Sequence, residues 1–197
     1  MQQKSKVIDL LGAGLQNLSA EYIESLQEYY DSIIYLSDNK FNLEFNNKDE
    51  YHASLVMSLL FQKAQSKINI FAGDFGGKIC DTELYMTKLR EALTIPNLEL
   101  NVIFEKAPKE DSLCYKYLYS EKRNNNRIKL RRLNQAYRKN IIDNFGKIEH
   151  FTVVDESMFR YETDIDEYKA FCNFDDKVNA SLLSKNYGKL YDNSEEI

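Results

Sequence analysis

The stretch Lys67-Ile68-Asn69-Ile70-Phe71-Ala72-Gly73-Asp74-Phe75 constrains the fold more than any other part of the chain. It is a short β-branched and aromatic run that stops at Gly76-Gly77, the pattern of a buried strand. Asp81 then offers an N-cap for a helix to about Leu93, with Leu84, Leu89 and Leu93 facing inward. Leu98 to Phe104 reads as a second strand. Strand, helix and strand at this spacing form a βαβ unit, so the two strands are expected to be parallel neighbours with a right-handed crossover.

The remaining elements follow from the same periodicities. Residues 5–36 carry Val7, Leu10, Leu11, Leu15, Leu18, Tyr22, Ile23, Leu26 and Tyr30 at helical spacing, with Ser19 as a possible N-cap between two helices. Phe41, Leu43 and Phe45 alternate as a short strand closed by the turn residues Asn46-Asn47, and Lys48 to Ser66 is a helix. A short helix is expected over 109–120. Arg127-Ile128-Lys129-Leu130-Arg131 alternates as a half-buried strand. Ile148 to Val154, Met158 to Glu162 and Lys169 to Phe174 are strands, the first two joined by the turn Asp155-Glu156-Ser157. Asp175-Asp176 opens a last helix carrying Val178, Leu182, Leu183, Tyr187 and Leu190. The expected organisation is a helical N-terminal extension with a short strand over 1–47, then an α/β domain over 48–197 with a mixed sheet flanked by helices.

Composition removes several functional classes. The chain has 197 residues, three well-separated cysteines with no CxxC pair, and two histidines, His52 and His150. A disulfide framework, a zinc ribbon and an all-histidine metal centre within one chain are therefore not expected. The motifs GxxxxGK(S/T), GxGxxG, HExxH and GxSxG do not occur. No cofactor and no metal are expected. The N-terminus has neither the apolar core nor the cleavage site of a signal peptide, and no run of 18 apolar residues exists. The expectation is a soluble, reduced, cytoplasmic protein with no membrane partner. Its richness in Asn, Lys and Ile suits an AT-rich bacterial genome. A net charge of -5 argues against a generally basic nucleic-acid binder and leaves room for a local basic patch.

The chemistry-bearing residues gather around His150. Ile148, His150, Thr152 and Val154 point one way along their strand. If Met158 to Glu162 is the return strand of a hairpin, Arg160 and Glu162 share one face and fall beside His150. A histidine, a guanidinium and a carboxylate at a sheet edge suit binding or transforming a phosphate. His150 is read either as a phosphate-site residue, with Arg160 supplying positive charge, or as a satisfied strand histidine. Glu162 is read either as an acid or base or as the ion-pair partner of Arg160.

The order of elements over residues 48–193 resembles the phospholipase D-like superfamily. The resemblance rests on the βαβ unit, on Val153-Val154-Asp155, on Asn173-Phe174 and on the closing helix ending Tyr187-Gly188-Lys189-Leu190-Tyr191-Asp192. The family signature is HxKxxxxD followed by GSxN, with the histidine as nucleophile toward phosphorus. With Asp155 at the family aspartate, His150 falls on the lysine position and Ile148 on the histidine position. With His150 at the histidine, Thr152 replaces the lysine and the aspartate arrives two residues early. Of GSxN, Ala170-Phe171-Cys172-Asn173 keeps only the asparagine. The resemblance implies a single-repeat member with a degenerate motif, a site of His150, Arg160, Glu162 and Asn173, a metal-independent mechanism, and a homodimer that brings two halves together.

A second candidate is the basic segment Lys122-Arg123-Asn124-Asn125-Asn126-Arg127 and onward to Arg132, where Arg127, Lys129, Arg131 and Arg132 suit a nucleic-acid backbone, with Tyr137 near for stacking. The alternative is a solvated strand face. His52 reads as a helix-start contact of Asp49, Cys172 as a buried small hydrophobe, and the glycines from Gly73 to Gly77 as a turn. The first functional reading is a degenerate phospholipase D-like protein of a bacterium that binds a phosphodiester or nucleic acid, or acts as a dimeric scaffold with a protein partner. The alternatives are an active phosphodiesterase or nuclease using His150, in a defence setting against phage, and an unrelated α/β interaction module.

Overall fold

The computed structural model describes residues 6–15 and 17–197. Ser5 and Gln16, inside the expected N-terminal helical stretch, lie outside the described residues, as do residues 1–4. The elements are α1 (Lys6–Leu11) with a 3-10 turn, α2 (Ala20–Asp38), β1 (Phe45–Asn47), α3 (Glu50–Lys63), β2 (Lys67–Ala72), α4 (Glu83–Leu93), β3 (Glu99–Phe104), α5 (Leu113–Lys122), β4 (Ile128–Leu133), α6 (Gln135–Phe145), β5 (Phe151–Val154), β6 (Met158–Asp164), β7 (Lys169–Asn173), α7 (Lys177–Asp192) and β8 (Ser194–Glu196).

The strands form one mixed sheet in the order β1-β7-β6-β5-β2-β3-β4-β8. β2, β3 and β4 run parallel, so the βαβ unit read from the sequence is present. The other pairings are antiparallel. Strand β2 lies near the middle, and Ile68 to Phe71 are all buried. Alternate residues of the central strands feed two separate cores. Ile68, Ile70, Val102 and Phe104 join the core under α1 to α5, while Phe71, Ile103, Phe151 and Val153 join the core under α7. Helix α3 is buried from His52 to Phe61. It is hydrophobic on all sides because the sheet lies on one side of it and α2 and α4 on others.

Several local expectations need correction. Phe41 and Leu43 are exposed coil, and the strand is Phe45–Asn47, which includes both expected turn residues. Asn47 is drawn inward by its hydrogen bonds to Arg160 and to the Tyr168 carbonyl. Helix α4 is capped by Thr82, and Asp81 instead accepts hydrogen bonds from Ser112 and the Cys114 amide at the start of α5. Ile148 to His150 precede β5 rather than belonging to it. Helix α6 and strand β8 had no counterpart in the sequence reading. In α7 the inward residues are Ala180, Leu183, Tyr187 and Leu190, while Val178 and Leu182 are 73% and 53% exposed.

Asp155 anchors the β5–β6 hairpin. It and Glu156 adopt φ of +50° and +53°, the left-handed central pair of the turn that the Ser157 amide closes on the Val154 carbonyl within the three-residue connection from Val154 to Met158. That backbone is unfavourable for residues with a Cβ. The Asp155 carboxylate offsets it by accepting from the Gln65, Ser66 and Lys67 amides and from the Ser66 hydroxyl, at 2.7–2.9 Å. The turn is thereby fixed to the start of β2. Asp155→Ala is expected to lower unfolding free energy by about 2 kcal/mol, measured by urea denaturation. An unchanged midpoint would mean that the amides find water equally well.

Candidate functional site

The sheet edge at the carboxyl ends of β2 and β3 is where open α/β sheets bind ligands. Here β2 ends in Ala72-Gly73, and β3 is followed directly by Glu105, which is 5% exposed. His150 reaches this edge from the segment before β5. Its carbonyl accepts the Glu162 amide at 2.9 Å, which holds it in line with the hairpin. Its ring lies over Gly73, where an added Cβ would sit 3.3 Å from Cε1. Glycine at this position is what lets the imidazole cross the sheet edge.

The ring is gripped at both nitrogens. Nε2 lies 2.8 Å from Glu105 Oε2, and Nδ1 lies 3.3 Å from Glu162 Oε2. Each carboxylate is bound in turn by an arginine. Arg138 of α6 donates to Glu105 Oε1 through Nε at 2.8 Å and Nη2 at 2.6 Å. Arg160 of β6 donates to Glu162 Oε1 at 2.5 Å. The Arg160 guanidinium continues to Asn47 Oδ1 at 2.8 Å and to the Tyr168 carbonyl at 3.0 Å. The result is a buried relay, Arg138–Glu105–His150–Glu162–Arg160–Asn47.

Two carboxylate acceptors call for two N–H donors, which only the imidazolium form supplies. Burial alone would lower the His150 pKa, and the hydrogen bonds that its ring donates to the Glu105 and Glu162 carboxylates, with their negative charges, outweigh it and raise it above 6.5. Burial alone would raise both glutamates. The hydrogen bonds from His150 and Arg138 hold Glu105 at about 2, and His150 with Arg160 holds Glu162 at about 2. Counted as ions, Arg138, His150 and Arg160 against Glu105 and Glu162 leave one net positive charge.

On one side of the relay lies a cavity of about 160 Å³. His150, Arg160 and Glu162 line it together with Asp74, the backbone of Gly73, Gly76 and Gly77, and an apolar wall that includes Met57, Phe75 and Tyr168. Asn173, the fourth site residue of the sequence reading, does not join them. Its amide donates to Asn42 at 2.9 Å and its oxygen accepts from the Asp175 amide, at the far end of β7. Cys172 is fully buried, and burial pushes its thiol up to about 12. His52 bonds Asp49, which caps α3.

The basic segment divides into two kinds of residue. Arg127 donates to the Ile95 and Leu98 carbonyls, and Arg131 donates to Ser194 and stacks over Tyr191, at 4.3 Å. Lys129 and Arg132 are exposed. Glu105, Arg138 and Asn47 were missed by the sequence reading. Of the three, only Glu105 carried a signal, as a carboxylate placed immediately after a parallel strand. Among the described residues, no group of three or more His, Cys, Asp or Glu side chains is arranged to hold a metal ion, and no helix is long and apolar enough to cross a membrane.

No protein-family model and no curated protein sequence matches the chain. Solved structures match its fold. The phospholipase D family member Nuc from Salmonella typhimurium superposes with a TM-score of 0.54 at 12% identity, covering 79% of this chain and 99% of that one. NucT from Helicobacter pylori gives 0.56 at 8% identity, with the same coverage. The fold is phospholipase D-like. TrmBL2, an archaeal chromatin protein with a novel mode of DNA binding, gives 0.57 at 10% identity over 90% of this chain, and this chain spans 64% of its length.

The relay makes stability depend on pH in two directions. The His150 contribution is complete below 6.5, its ordinary pKa, and is lost as pH rises through its higher folded value. The glutamate contribution is complete above 4.5 and is lost as pH falls toward 2. The stability gap between the wild type and His150→Asn should therefore be widest between pH 4.5 and 6.5 and should narrow as pH rises through the raised folded value of His150. Urea denaturation across this range measures it. A gap that stays constant on the alkaline side would show that the ring is neutral throughout.

Proposed function

We propose that this chain is a degenerate phospholipase D-like protein that binds a nucleic-acid backbone without cleaving it. The observation that carries this reading is the engagement of both His150 nitrogens by carboxylates. A histidine nucleophile needs a lone pair on one ring nitrogen, and an imidazolium held by two carboxylates has none. The same charge supports binding, since His150 and two arginines at a sheet edge suit phosphate oxygens.

The degenerate motif fits the register in which Asp155 takes the family aspartate position. His150 then stands at the phosphate-binding lysine position, and Ile148, packed in the α7 core, stands at the nucleophile position. Two further lines support nucleic acid as the ligand. One is the pair of exposed cations Lys129 and Arg132 on a sheet that ends at the relay. The other is the fold shared with a chromatin protein described for its DNA binding. The single repeat supports a homodimer that places two relays together, and the composition supports a bacterial, cytoplasmic setting.

Purified protein incubated with single-stranded DNA, double-stranded DNA, RNA and bis-p-nitrophenyl phosphate in EDTA is expected to give no turnover. It is expected to bind at least one nucleic acid with an affinity that falls as salt rises. Lys129→Ala with Arg132→Ala should reduce the slope of log affinity against log salt by about 2, from two lost phosphate contacts. Arg127 and Arg131 are left intact because their guanidinium groups hold the fold. EDTA-resistant hydrolysis abolished by His150→Ala would replace this reading with a phosphodiesterase, and a protein that binds no nucleic acid would sink it.

A further inference from the structure

The relay contains one group that a phosphate site would not be expected to hold, the carboxylate of Glu105. Its two oxygens receive what a bound oxyanion would receive. One takes two N–H bonds from the Arg138 guanidinium, at 2.8 and 2.6 Å, and the other takes the His150 Nε2–H at 2.8 Å. Glutamate is thus the internal occupant of a two-cation seat.

The seat has a solvent side. Arg138 stands on α6, none of whose residues is buried, and its side chain is 27% exposed. Apolar residues Tyr137, Ile141 and Ile142 only partly cover the core beneath them. Glu105, by contrast, follows a buried strand, and its backbone amide is bonded to the Ala72 carbonyl at 2.8 Å. The carboxylate can leave only by a change of side-chain rotamer, and Arg138 is the part of the seat that an incoming anion meets first.

We infer that Arg138 and His150 form a seat for a phosphoryl oxyanion, closed in this structure by Glu105, which an incoming phosphate must displace. The inference rests on the proposed nucleic-acid reading for the source of that phosphate, and on the geometry alone for the seat. Displacement exchanges one anion for another between the same two cations, so the buried charge stays balanced. It also frees the Glu105 carboxylate to turn toward solvent beside α6.

The test uses Glu105→Gln, which keeps the shape and removes the charge. Inorganic phosphate and a single-stranded deoxyoligonucleotide are titrated separately into the full chain by calorimetry. The variant should bind both about tenfold more tightly than the wild type, and adding Arg138→Ala should remove the gain. Ring NMR on the wild type gives a readout that does not depend on the variant's folding, because the only two histidines are well separated in role. Inorganic phosphate should shift the His150 resonances saturably and leave those of His52, bound to Asp49, in place. No gain in Glu105→Gln, or no shift of His150 in the wild type if that variant fails to fold, overturns the seat. A gain for phosphate alone overturns its use for nucleic acid. Wild-type failure to bind any nucleic acid, with the phosphate gain intact, overturns the functional reading and leaves the seat standing.

Discussion

One imidazole joins the two halves of this molecule. The sheet separates two cores, and their side chains meet only where a residue crosses the sheet edge. His150 does so above Gly73, taking Glu162 on one side and Glu105 on the other. Through those carboxylates it ties α6, by way of Arg138, to β1, by way of Arg160 and Asn47. Glu105, His150, Glu162 and Arg160 are buried, so the loss of any one leaves a neighbour buried and unpaired, while Arg138 closes the relay from the solvent side. The connections at the periphery depend on it as well. The Tyr168 carbonyl, turned inward by a φ of +56°, accepts from both Arg160 and Asn47.

The same arrangement sets the chemistry available at the edge. A histidine with one carboxylate is oriented and basic, with its second nitrogen free to act. A histidine with two carboxylates is a fixed cation. The difference lies in Glu105, whose carboxylate takes the second ring nitrogen of His150. The neighbouring cavity keeps the character of a ligand site, with glycine backbone on one wall and aromatic and aliphatic side chains on another.

What could be read from the sequence was what local periodicity encodes. Each strand and helix of the β2–α4–β3 unit, each strand of the β5–β6 hairpin and the last helix carries its own pattern within 16 residues or fewer. Helix α6 was missed although its signals are local, with Tyr137, Ile141 and Phe145 four residues apart between the Asn134 cap and the left-handed Gly146, because its apolar face is thin and none of its residues is buried. Phe41 and Leu43 alternate like a strand yet find no neighbour to pair with, so the alternation carried no weight. The hairpin brought His150, Arg160 and Glu162 within reach of inspection. Glu105 and Arg138 were beyond it, since Glu105 lies 33 residues from Arg138 and 45 from His150. Asn47 is 113 residues from Arg160. Contacts at such separations are written in the tertiary fold, and no spacing rule exposes them.

Charge distribution gives the sheet edge its direction. The chain as a whole carries -5, so positive potential on it is confined to local groups of cations. Strand β8 brings Glu195 and Glu196 against β4, where Glu196 also pairs with Lys122. In register Glu195 stands opposite Arg132 and Glu196 opposite Arg131, and Lys122, with Arg131 and Lys129 behind it, holds the Glu196 carboxyl below its usual range, so the acidic strand answers much of the basic segment. Arg132 lies opposite Phe104 in the sheet, one residue before Glu105. The exposed cation and the relay therefore sit at the same end of neighbouring strands. Fields from exposed charges fade over about 10 Å in ordinary salt. Lys129 lies three residues before Arg132 and on the opposite face of β4, so of the two it is Arg132 that shares this edge with the relay.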